Sequence, residues 1–138
     1  MKTQFTIAVA AFAIALMSCA DPPKPLTDQR SECYAASMQL LAQHDWGGHA
    51  RLLCRKEFPS DSVLLLHEFC RLVGMREYPD AEIQMNKLVV RRSFPCIDSL
   101  SRDWHWEIKQ LRLDPSKSPD ASLDYLLQYL RNYSNSPC

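Results

Sequence analysis

His67 and Cys70 stand three residues apart, a spacing that places an imidazole and a thiol on one face of a helix. An activated cysteine nucleophile is built from such a pair. His44 and His49 flank Gly47-Gly48 beside Asp45, and two imidazoles with a carboxylate are the beginnings of a metal site. Both groups have plainer readings. Cys70 belongs to an apolar stripe with no third group to orient His67, and free cysteine is among the most buried residue types. Histidines around a turn ordinarily cap and solvate it. His67-Glu68 continues Phe-Cys-Arg, so the second histidine of H-E-x-x-H is missing. The 3 glycines form no phosphate loop, and G-x-S-x-G does not occur. Glu68, Glu82, Asp103 and Glu107 read as solvated helix surface. The chain is therefore expected to be no enzyme, with no catalytic residue, metal or cofactor assigned.

Aromatic residues point to recognition instead. Tyr125, Tyr129 and Tyr133 recur every fourth position and form a helical stripe. At 100° per residue its centre lies roughly 110° from that of Leu123, Leu126, Leu127 and Leu130. The leucines suffice for a core face, which leaves the tyrosines at its edge or outside it. Trp104 and Trp106 are two apart and cannot both face inward, so Trp106 joins Tyr125, Tyr129 and Tyr133 as a candidate partner-binding residue. Tyrosine suits interfaces because its ring is apolar and its hydroxyl tolerates water. The plainer alternative is that these rings seal the rim of a bundle.

Helical periodicity runs from Asp28 onward, and no alternating run demands a strand. A first helix spans roughly 28–44, capped by Thr27 or Asp28, with Cys33, Ser37, Leu40, Leu41 and His44 on one face. Asp45-Trp46-Gly47-Gly48 breaks it. A second spans roughly 48–57 and buries Leu52, Leu53 and Cys54. Phe58-Pro59-Ser60 ends it, and a third, begun by Ser60 or Asp61, carries Leu65, Phe69, Leu72 and Val73 until Gly74 stops it. Pro79 opens a fourth helix that closes near Arg91 and Arg92. The fifth, roughly 97–112, spaces Ile97, Leu100, Trp104, Ile108 and Leu111 by 3, 4, 4 and 3. Ser118-Pro119-Asp120 opens the sixth. The fold class expected is all-α, about six short antiparallel helices in a bundle or a helical-hairpin array. Arg51–Pro59 is echoed 36 residues later by Lys87–Pro95, and with that period the chain weakly resembles tetratricopeptide-type arrays.

The N-terminus decides the compartment. Lys2 precedes the apolar run Phe5–Met17, which is too short to span a bilayer. Leu16-Met17-Ser18-Cys19 resembles the lipobox of bacterial lipoprotein precursors. That resemblance implies cleavage after Ser18 and acylation of Cys19; the alternative is an ordinary signal-peptidase cut after Ala20 and plain secretion. The expected organisation is a signal peptide over 1–18, a lipidated, proline-rich tether over 19–27 and a helical domain over 28–138. Ala20, rather than an aspartate, follows Cys19, which in that family favours the outer membrane. Removing Lys2 leaves 15 basic and 16 acidic residues, a net charge of −1. So balanced a chain lacks the basic footprint of a nucleic-acid binder.

Export makes cysteine pairing the default. If consecutive helices are antiparallel, Cys33, Cys54, Cys96 and Cys138 gather at one end of the bundle and Cys70 falls at the other. The pairs expected are Cys33–Cys54 and Cys96–Cys138, leaving Cys70 a buried free thiol. The functional expectation is a lipid-anchored periplasmic helical binding protein, membrane-attached through acylated Cys19, with a protein partner and no nucleic acid. It is similar in architecture to small helical accessory lipoproteins of secretion systems. An immunity or exclusion lipoprotein is the alternative, and a secreted enzyme or metal-binding protein is a third.

Overall fold

The computed structural model describes residues 22–132. Within them the protein is all-α, with six helices and no strand. These are α1 (Leu26–Ala42), α2 (Trp46–Ala50), α3 (Ser62–Gly74), α4 (Tyr78–Val90), α5 (Ile97–Leu113) and α6 (Asp120–Asn132), and a 3-10 turn (Leu53–Glu57) separates α2 from α3. α3 is the centre of the bundle. It packs against α1, α2, α4 and α6 and buries residues all round, from Val63 to Val73. α1 also meets α6. Contact between helices so far apart in sequence closes the molecule into a bundle, because a solenoid unit touches only its neighbours. The two copies of the 36-residue echo differ in local structure as well: the first lies largely in the 3-10 turn, the second at the end of α4.

Two expected elements need correction. α1 starts two residues before Asp28, after Pro25, and no side chain caps it. Residues 48–57 are not one helix. The chain is extended at Leu52, and the following 3-10 turn leaves Leu53 72% exposed rather than buried. That bend presents Cys54 to Cys33, to which it is bonded with Cα atoms 5.8 Å apart. Closing a segment with a sequence separation of 21 removes unfolded-state freedom, a contribution of about 3 kcal/mol in the chain-entropy model. Cys70 is free and buried. Cys96 is disulfide-bonded; its expected partner, Cys138, lies outside the described residues.

Three helices end alike without glycine. His44, Arg76 and Arg92 adopt φ of 55°, 60° and 48° after α1, α3 and α4. In each case the following amide, of Asp45, Glu77 or Ser93, donates back to the carbonyl of Leu40, Leu72 or Leu88. This 6→1 bond is the mark of a Schellman ending. Gly74 therefore does not stop α3. It is the last helical residue, and its lack of a side chain serves packing: a Cβ there would sit 2.5 Å from the Trp46 indole.

Candidate functional site

The leucine stripe of α6 (Leu123, Leu126, Leu127, Leu130) is buried as its spacing dictates. It is turned toward α1 and α3, whereas α5 packs on α4. α5 and α6, though consecutive, approach each other less closely than either does those neighbours. The gap between them is a groove of about 600 Å³. Leu100, Trp104 and Leu126 form its apolar base; Asp103 and Glu107 of α5 and Ser122, Tyr125 and Tyr129 of α6 form its sides. Trp104 is held there by an edge-on contact with Phe69 of α3, ring centroids 5.3 Å apart. Glu107 accepts a hydrogen bond from Ser122 Oγ at 2.7 Å and lies 3.4 Å from Lys117 Nζ, tying the two helices together at one end. With Glu107 matched by Lys117, the charge the groove presents is the exposed carboxylate of Asp103, and among the described residues no lysine or arginine lines it.

Of the residues singled out for recognition, Tyr125 is 76% exposed and Tyr129 half-buried, both on the groove. Trp106 is 61% exposed, as its offset from Trp104 requires, but it lies outside the groove lining. Tyr133 and the acylation candidate Cys19 lie outside the described residues.

The groups first considered for catalysis and metal binding are built differently. His67 does not turn to Cys70. Its Nδ1 lies 2.7 Å from Ser37 Oγ, and His49 Nε2 lies 2.7 Å from the same oxygen. All three side chains are buried, and His49 Nδ1 has no partner. The chain is satisfied when His49 donates from Nε2 to Ser37 and Ser37 donates to His67, because a bare lone pair is a lesser orphan than a buried N–H. Burial drives His49 down to about 3 and His67 down to about 4, so both are neutral near pH 7. Burial likewise pushes the Cys70 thiol up to about 12, the opposite of nucleophile activation. Beside this chain Arg55 donates to the His49 carbonyl at 3.0 Å, and Arg55 and Arg71 both grip Glu68. Burial pulls Glu68 up, but the Arg71 hydrogen bond and the Arg55 charge outweigh it and hold the carboxyl below its usual range. This polar cluster joins α1, α2 and α3. A serine inside an apolar stripe was its one sequence signal, since a buried hydroxyl needs a partner; the pattern could not say which.

His44 is separated from His49. It stacks on Trp46 at 5.1 Å and bonds Asp124 of α6 at 2.8 Å. Among the described residues no three His, Cys, Asp or Glu side chains are grouped to hold a metal ion. None of the described helices is long and apolar enough to cross a membrane. The structure thus defines a small disulfide-linked helical bundle bearing an aromatic-sided groove between α5 and α6. No family model, curated protein or solved structure matches the chain.

Proposed function

We propose that this protein is a lipid-anchored recognition module of a bacterial cell envelope, working through the groove between α5 and α6. The observation that carries the reading is the groove itself: an apolar base in Leu100, Trp104 and Leu126, with Tyr125 exposed on its side. A fully folded bundle has no packing need for a tyrosine so exposed, and rigid aromatic side chains beside a concave apolar surface are what protein interfaces use. The buried polar cluster is spent on holding three helices together, which leaves the exterior to act. The anchor rests on Leu16-Met17-Ser18-Cys19 behind its apolar run.

Two measurements test the two halves. Membrane fractionation of wild type against Cys19→Ala should show the variant released; unchanged fractionation would remove the anchor. A photoreactive residue replacing Tyr125 in the full chain should give protein adducts that one replacing the exposed Arg131 does not. Equal adducts from both positions would remove the groove. An adduct with a membrane assembly component identifies a docking factor, and one with a soluble toxin identifies an immunity protein.

A further inference from the structure

We propose that the groove between α5 and α6 receives the outer face of α4 from a second copy of this chain, so that copies join head to tail. The inference rests on reading the groove as a recognition surface and names its occupant. The inner side of α4 is fully used by Ala81, Met85 and Leu88. A surface helix should then be polar outside, yet Val90 is 84% and Ile83 55% exposed. Lys87 and Arg91 accompany them around a shallow apolar depression that, among the described residues, no acidic side chain lines. Ile83, Lys87 and Val90 are i, i+4 and i+7, the anchor pattern by which a helix lies in a groove. Ile83 and Val90 stand two turns apart, roughly 10.5 Å along the axis.

The groove offers the matching chemistry. It has an apolar base with the exposed carboxylate of Asp103 beside it, while Glu107 is engaged by Lys117 and Ser122 at one end. Opposite charges flanking two apolar surfaces set register and exclude like-charged partners. Because ridge and groove are different surfaces, the contact is heterologous, and successive copies form an open string or a closed ring. The α4 patch is small, so the contact is weak and sensitive to local concentration; tethering to one membrane would raise that concentration.

The test uses the full-length chain in its native membrane, with a photoreactive residue in place of Val90. Products of two, three and more copies are expected, each linking position 90 to α5 or α6 near Asp103 or Tyr125. D103K should lower their yield at least about tenfold, and so should the double change K87E/R91E, since reversal turns attraction into repulsion. Co-expressing D103K with K87E/R91E should restore the ladder, because in mixed strings the intact ridge meets the intact groove at one contact and the two reversed surfaces, again opposite in charge, meet at the next. These sites are exposed, and unchanged thermal melts establish that the variants fold. Links between position 90 and position 90, a ladder indifferent to the reversals, or no copy-to-copy product would overturn the proposal. Adducts of a foreign protein at Tyr125 without copy-to-copy links would sink self-pairing and leave the recognition reading in place. Silence from both positions would sink both.

Discussion

Acidification from pH 7.5 to pH 5 should cost this fold about 4 kcal/mol, through His49 and His67. Both are buried and held far below the ordinary 6.5, His49 at about 3 and His67 at about 4, by desolvation first; the Arg55 charge adds to it at both, and Asp61 opposes it at His67. The unfolded chain, whose histidines titrate near 6.5, therefore takes up protons before the folded one does. Stability is present in full above about pH 6.5 and is lost as the pH falls toward the folded values. At pH 5 each unfolded histidine has gained about 2 kcal/mol from protonation while its folded counterpart has gained almost nothing. The sum is a large share of a typical reserve of about 5–15 kcal/mol. For a domain near 100 residues it lowers Tm by roughly 15 °C. Carboxylates ordinarily titrate below this window. Comparison with His49→Gln isolates the buried pair, because the variant should lose only about half as much over the same pH range. The assay is thermal unfolding followed by circular dichroism at pH 7.5, 6 and 5. A Tm that does not move, or His49 and His67 resonances of folded protein that titrate near 6.5, would refute the argument.

Other perturbations follow from the same packing. Arg92→Gly should raise stability by about 0.5–1 kcal/mol in urea unfolding, because glycine adopts the left-handed ending of α4 without a Cβ penalty. Gly74→Ala should lower it by about 1–3 kcal/mol, since the new methyl must displace Trp46. Replacing Cys33 and Cys54 together with serine should cost about 3 kcal/mol, read from the same midpoints. Cys70, fully buried with its thiol held protonated, should resist alkylation in native protein and react only as fast as the bundle opens.

Much of the helical layout was legible in the spacing of apolar residues. The stripes Ile97, Trp104, Ile108, Leu111 and Leu123, Leu126, Leu127, Leu130 are buried as a 3.6-residue repeat requires, and Cys33–Cys54 followed from placing helix ends at one height. The second helix was misread because its bend serves a distant cysteine, which no local pattern records. Gly74 was misread for a similar reason: a glycine late in a helix suggests a stop, and only the approach of Trp46 shows that it is there to make room.

By itself the sequence determined where the long helices run, which face of each is apolar, and that Trp104 and Trp106 must part company. Only the tertiary structure decided which helix each face meets. α6 could have buried its leucines against α5; it turned to α1 and α3 instead, and the groove exists because it did. Ser37, His49 and His67 likewise form a chain only because three helices converge. Periodicity reports the direction a side chain points along its own helix. What stands at the other end of that direction is settled by long-range packing.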